Sequence, residues 1–324
     1  MQQEFAFLFE KNSGLNMIPE HRYQTQPPER AESESLRQNG SRTIKILVYH
    51  RIVKNAGKEN VCKFCLPEDE FRKHLEWLDR WGFTPITFED YRIASEKRLE
   101  LPHKPIILTF DDGYLDTYQI AFPLLQEFGM KAVVFVLGDR SIRTNVWDAH
   151  LKLPQVPLLD DNHILEMHEA GIEIGAHSMS HIRLTEVKED RAWEEISRAR
   201  VLLEILLNAP VLSFSYPYGL VNEAVKQMVA SAGFVHACSV WTGPAFFGRD
   251  VYELRRIPIL NSTTNSQLAV RVSNLYQYYS WLRWTAGKIL RKKQRGYENE
   301  LLVPPFHSIE PLHHSVSDYE KFKS

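Results

Sequence analysis

Between Ile44 and Leu260 the chain switches repeatedly between two hydrophobic periods, and this alternation restricts the fold more than any other feature. Runs rich in aliphatic and β-branched residues read as strands at Ile44–Tyr49, Thr84–Thr87, Pro105–Phe110, Ala132–Leu137, Ile172–Ala176, Val211–Ser215, Phe234–Val240 and Leu254–Leu260. Between them lie helical patterns: Pro67–Trp81 with Phe71, Leu75 and Leu78 on one face, Phe88–Ser95, Leu115–Phe128, Asp160–Ala170, Lys188–Leu207 and Val221–Ala232. Gly82, Gly129, Gly171 and Gly233 follow four of these, where helix ends favour glycine. Alternating strands and helices imply a parallel sheet. About seven such units in roughly 220 residues favour an α/β fold closed into a distorted (β/α) barrel over an open doubly wound sheet.

The flanks differ from this middle. Residues 20–43 are rich in Glu, Arg, Gln, Ser and Pro and poor in apolar residues, and 1–43 read as a flexible leader. The barrel domain is expected over 44–262, and 263–324 as a helical extension with a polar tail. A net charge of −2 gives no basic field, so nucleic acid is not an expected partner. The patch Phe5–Phe9 follows Glu4 and lacks a basic flank, which reads as a protein kept in the cytoplasm. Three cysteines make no disulfide framework. Cys62 and Cys65 form a lone Cys-x-x-Cys, too few ligands for structural zinc, and read as two unrelated thiols before a helix.

In parallel barrels the C-terminal strand ends carry the site. Here those ends hold His50, the adjacent Asp111 and Asp112, the pair His177 and His181, and Tyr216-Pro-Tyr-Gly219. If His177 and His181 share one helical turn, their i, i+4 spacing lets both imidazoles grip one ion. Two histidines and a carboxylate form an open site suited to hydrolysis, and the second carboxylate is then free to take a proton from the attacking water. Alternation along an extended strand end is the expected way to point neighbouring aspartates apart.

Thr109-Phe-Asp-Asp-Gly113, His177-Ser-x-x-His181 and Tyr216-Pro-Tyr-Gly219 resemble the first three motifs of the polysaccharide deacetylases, carbohydrate esterase family 4 with its NodB-homology domain. The resemblance runs from about Ile44 to about Leu260. It implies a metal-dependent hydrolase that removes N-acetyl, in some members O-acetyl, groups from a saccharide. It implies Asp111 as the general base and Asp112, His177 and His181 as ligands of a divalent ion, with zinc the expected metal. The backbone N–H of Tyr218 is implied as a donor to the oxyanion, beside a substrate-binding role.

Two departures point to a branch of the family. Ser215 stands where many members carry an arginine that orients the base, and the resemblance to Leu-x-Arg-Ile brings that arginine from Glu253-Leu-Arg-Arg-Ile-Pro258, with Arg256 favoured over Arg255. No Leu-x-His follows the last strand except Leu312-His-His314 in the tail, whereas Leu47-Val-Tyr-His50 resembles the Tyr-His start of exopolysaccharide deacetylases and implies His50 as the general acid. Trp147 and Trp241 are candidate sugar-stacking residues, with packing as the competing role. The remaining histidines of helices and loops, His74, His150, His163, His168 and His236, are read as structural. A cytoplasmic enzyme directs the expectation toward a lipid-linked or nucleotide-linked saccharide. The Trp- and Lys-rich stretch 279–295 is a candidate peripheral membrane contact, with a packed helix as its rival. The competing functions are a metal-dependent amidohydrolase on a small non-sugar amide and a degenerate sugar-binding domain. The intact quartet Asp111, Asp112, His177 and His181 opposes degeneration.

Overall fold

The computed structural model describes residues 44–54, 62–151, 154–240, 250–276, 278–280 and 282. The leader 1–43, most of 279–295, and the tail beyond lie outside them. In chain order the elements are β1 (Lys45–Tyr49), β2 (Arg51–Val53), β3 (Cys65–Pro67), α1 (Glu68–Arg80), β4 (Thr84–Pro85), α2 (Phe88–Glu96), β5 (Pro105–Phe110), α3 (Phe122–Glu127) and β6 (Val133–Val136). They continue with α4 (Asp161–Glu169), β7 (Glu173–Ala176), α5 (Glu189–Leu207), β8 (Ser213–Ser215), α6 (Glu223–Ser231), β9 (His236–Val240), β10 (Leu254–Pro258) and α7 (Asn265–Val272).

The main sheet is parallel throughout, in the order β1-β10-β9-β8-β7-β6-β5-β4, and β1 also pairs along its whole length with β5, from Lys45 opposite Ile106 to Tyr49 opposite Phe110. That last pairing closes seven strands into a barrel. The two residues of β4 take the start of β5 at Pro105 and Ile106, while β6 takes its end at Thr109 and Phe110. Alternate residues of each strand serve two cores. Ile46, Ile107, Val133 and Phe135 join Cys238 and Leu254 in one cluster, whereas Leu47, Leu108, Val134 and Val136 join the helix faces in the other. Burial of both strand faces explains why these segments read as unbroken apolar runs.

Some expectations change. β2 and β3 form a separate two-stranded parallel sheet, Arg51 opposite Cys65, and at three residues each they are too short to show a period. The helix expected over Leu115–Phe128 is a π turn at Thr117–Ala121 followed by α3. Pro123 supplies no backbone donor, and the wider turn accommodates its ring. After the last strand, α7 buries Leu268 and Val272, and the Thr263 carbonyl accepts from His74 Nε2 at 2.8 Å. Residues 263–272 are thus tied to the barrel. No helix of the described residues is long and apolar enough to cross a membrane.

Candidate active site

The end of β5 separates its two aspartates by a turn, not by the alternation expected from the sequence. Asp111 is still in the ladder, its N–H donating to Tyr49 O at 3.1 Å. Asp112 has left it, with φ of 73°. This is left-handed backbone that a residue with a Cβ seldom adopts, at a cost of roughly 1–2 kcal/mol, and such strain gathers at functional sites. Gly113 follows at φ 68°, and a Cβ there would meet Val136 Cγ1 at 3.1 Å. Only glycine suits both the conformation and the space.

His177 and His181 sit on a turn after β7, not on the helical turn expected. Ser178 and His181 both have φ of 59°, so the segment cannot continue as a right-handed helix. The turn is pinned from several sides. His181 N–H donates to Ser178 Oγ at 3.0 Å, and Gly138 and Asp139 N–H donate to the Ser178 and Met179 carbonyls. From α5 the fully buried Glu195 accepts from the N–H and the hydroxyl of Ser180, at 2.8 and 2.7 Å. Arg191 offsets its charge at 2.6 Å.

These turns converge. His177 Nε2 and His181 Nε2 each lie 3.2 Å from Asp112 Oδ1, and among the described residues Asp112, His177 and His181 are the cluster able to hold a metal ion, with donor atoms within 4.8 Å of one another. His177 Nδ1 lies 2.7 Å from the Ser215 carbonyl, which fixes the proton there and leaves Nε2 as a lone pair facing the carboxylate. A neutral imidazole and an ionised carboxylate that face each other this way are natural ligands of one cation, so the donor set fits a divalent ion. Burial would raise the Asp112 pKa, but the close approach of His177 and His181 outweighs it and holds the carboxyl well below its ordinary range. His181 is lowered, chiefly by burial, and His177 is raised because Asp112 and Asp111 overcome its burial.

Asp111 faces a different partner. Arg256 binds it bidentately, Nη1 to Oδ1 and Nη2 to Oδ2, both at 2.7 Å. The same guanidinium donates to Thr109 Oγ1, Ser215 Oγ and the Ser239 carbonyl, and the Ser215 hydroxyl donates to Asp111 Oδ2 at 3.2 Å. Both ends of the pair are only 2% exposed. Burial pushes Asp111 up, yet the charges of Arg256 and His177 leave it lowered. Arg255, by contrast, lies 3.3 Å from Glu253. The serine that stands in the arginine position of the third motif is therefore part of the cradle for an arginine from β10.

Around this centre the rim is aromatic. Trp147 stacks on His181 at 4.3 Å, and Tyr218 meets the same ring edge-on at 4.6 Å. Tyr218 has φ of 60°, and Arg183 lies 4.4 Å above its ring. His50, half-buried at the end of β1, stacks on Phe64 at 4.5 Å, and its Nδ1 is buried without a hydrogen-bond partner. Burial lowers its pKa, while Asp112 and Asp111 act to raise it. Trp241 lies outside the described residues. His74 and His236 are buried elsewhere, and His163 is at the start of α4, against the Asp160 cap. Glu195 was not singled out from the sequence, although an acid on the apolar face shared with Ala192, Ile196, Ala199 and Leu203 is a signal of a buried partner.

Comparison with known proteins bears on the family and the fold. The sequence profile of the family described as polysaccharide deacetylase matches residues 98–237. YxkH of Bacillus subtilis, named as a candidate polysaccharide deacetylase, is 25% identical over 232 residues, which cover 72% of this chain and 77% of that protein. The poly-beta-1,6-N-acetyl-D-glucosamine N-deacetylase of Staphylococcus epidermidis is 20% identical over 66% of this chain and 78% of its own length. Among solved structures, the Streptococcus pyogenes deacetylase PplD in complex with acetate superposes with a TM-score of 0.61 at 24% identity, over 71% of this chain and 98% of its own. A de-N-acetylase from Aggregatibacter actinomycetemcomitans gives 0.62 at 19% identity, over 71% and 99%. At these identities the two structures speak for the barrel alone.

Proposed function

We propose that this chain, which belongs to the polysaccharide deacetylase family and is a hydrolase, removes N-acetyl groups from a saccharide with the help of one divalent ion. The observation that carries the reading is the pairing of a three-residue donor set, Asp112, His177 and His181, with a neighbouring carboxylate, Asp111, that Arg256 keeps ionised and oriented. An ion held there supplies Lewis-acid polarisation of the amide carbonyl and lowers the pKa of the attacking water. Zinc suits two imidazoles, one carboxylate and an open position.

Asp111 takes the proton of the attacking water. Its bidentate contact fixes both oxygens, so the base does not rotate away as charge changes. The N–H of Tyr218, on left-handed backbone beside Gly219, donates to the oxyanion of the tetrahedral intermediate. His50 gives a proton to the leaving amine. The burial that lowers its pKa makes its protonated form a stronger donor, and the two aspartates favour that form when it is needed. Trp147 offers an aromatic face at the rim for a sugar ring. A cytoplasmic setting with a lipid-linked or nucleotide-linked saccharide belongs to the same reading, as does a membrane contact through 279–295, where Tyr279 and Leu282 are exposed.

The test is acetate release from N-acetylated oligosaccharides by the metal-stripped protein, repeated with added zinc, cobalt, nickel or manganese. Ion-dependent acetate release supports the reading. Release from small non-sugar amides with none from saccharides would replace it by the amidohydrolase reading. Fractionation and sedimentation with anionic vesicles test the location and the membrane contact.

A further inference from the structure

The two cysteines that the sequence reads as unrelated are joined in the fold. Cys65 N–H donates to the Cys62 carbonyl at 3.1 Å, closing a four-residue turn whose ends lie within the span a disulfide bridges. The buried Cys65 thiol hydrogen-bonds the Cys62 sulfur, and Cys62 is half-exposed. The Arg51 guanidinium lies 3.8 Å from Cys65 Sγ, held there by Asp116 at 2.7 Å. Phe64, inside the turn, stacks on His50 at 4.5 Å, and its carbonyl accepts from Arg51 N–H at 3.2 Å.

We propose that Cys62 and Cys65 form a reversible thiol–disulfide site whose oxidation state sets the seat of Phe64 over His50. Cys62 is the attacking thiol. The hydrogen bond from Cys65 is the largest influence on it and, with the Phe64 N–H, brings its pKa to about 7 against burial. Cys65 is the resolving thiol: its bond to Cys62 and its burial hold the thiol up while Cys62 is reduced, and the Arg51 guanidinium, 3.8 Å from Sγ, stabilises the thiolate once Cys62 is taken up in the mixed disulfide. With glutathione disulfide as oxidant, the Cys62 thiolate attacks one sulfur, the S–S bond breaks, and one glutathione leaves as a thiolate that takes up a proton. Cys65 then loses its proton and attacks the Cys62 sulfur of the mixed disulfide, expelling the second glutathione. Two protein thiols are oxidised and one glutathione disulfide is reduced to two thiols. Cys238 takes no part, because burial pushes its thiol up to about 12.

The first test is iodoacetamide alkylation of the full reduced chain at pH 7, folded and unfolded. A thiol at about 7 instead of 9.0 carries roughly fifty times more thiolate, and the accompanying loss of nucleophilicity, about eightfold, leaves Cys62 about sixfold faster in the folded chain. A Cys62 rate at or below that of the unfolded chain overturns the assignment. Under glutathione disulfide the wild type is expected to lose two hydrogens in mass, and Cys65→Ser to retain one bound glutathione. Failure of that adduct to form in Cys65→Ser also overturns it. These readouts do not depend on the deacetylase reading. The link to His50 does: oxidation is expected to lower acetate release severalfold, reversibly on reduction, and full oxidation with unchanged release would sever that link.

Discussion

Replacing Arg256 by methionine removes the group that lets Asp111 stay charged inside the barrel. The side chains are similar in length, so packing against Phe135, whose ring lies 5.6 Å below the guanidinium, is largely kept. The electrostatics are not. Asp111 loses both 2.7 Å bonds at a site 2% exposed, and Ser215 is left as the donor to Oδ2. Breaking one side of such a buried pair costs about 3–5 kcal/mol, because the remaining charge has no compensation. The sign of the pH dependence follows. In the wild type the folded Asp111 pKa lies below its ordinary 3.8, so the pair stabilises above that value and the stabilisation is lost as pH falls further. In the variant burial dominates and the folded pKa is raised, so the deficit against wild type is largest near pH 7 and shrinks toward pH 4. Urea unfolding at the two pH values measures it. The acid limb of kcat/KM for acetate release should move upward, and turnover at pH 7 should fall about a hundredfold or more as the base is protonated. A variant with wild-type stability at pH 7 and an unmoved acid limb would refute the reasoning.

Three further perturbations address other parts of the account. His236, 3% exposed between Phe88 and Tyr91, is lowered by burial from 6.5 to about 4, so it stabilises the fold above pH 6.5 and loses about 3 kcal/mol as pH falls to 4. His236→Leu should flatten that part of the stability profile; an unchanged slope contradicts the assignment. Glu195→Ala frees Ser180 and should weaken metal binding by roughly tenfold to a hundredfold, read by competition with a chromophoric chelator on folded protein. Unchanged affinity would show that the turn holds its shape without α5. His50→Ala should leave metal content intact and cut kcat by roughly a hundredfold or more, and wild-type kcat would move the acid role elsewhere.

Much of this architecture is written locally. The strands, the helices and the glycines that stop them follow from periods of two and 3.6 residues, and the motif residues fall at strand ends because parallel barrels present one end. What the sequence hides is set by long-range geometry. Arg256 reaches Asp111 across 145 positions, and nothing in Leu254-Arg-Arg-Ile257 alone says which arginine turns inward. The left-handed residues Asp112, Ser178, His181 and Tyr218 are equally silent, since their conformations are imposed by the contacts around them and not by propensity. Expectations of a helical turn and of strand alternation therefore named residues that the fold does bring together, but by a local geometry that it does not adopt. Glu195 is legible only as a charge on an apolar face, and the Cys62–Cys65 turn only once β2 and β3 are paired.

The most direct measurement is metal content and acetate release on the same samples of wild type and Asp112→Ala, stripped with a chelator and reloaded with zinc. One ion per wild-type chain, acetate release from an N-acetylglucosamine oligosaccharide that disappears on stripping and returns on reloading, and neither property in Asp112→Ala are the predicted results. Acetate release that survives complete stripping, or that Asp112→Ala retains, would contradict the account.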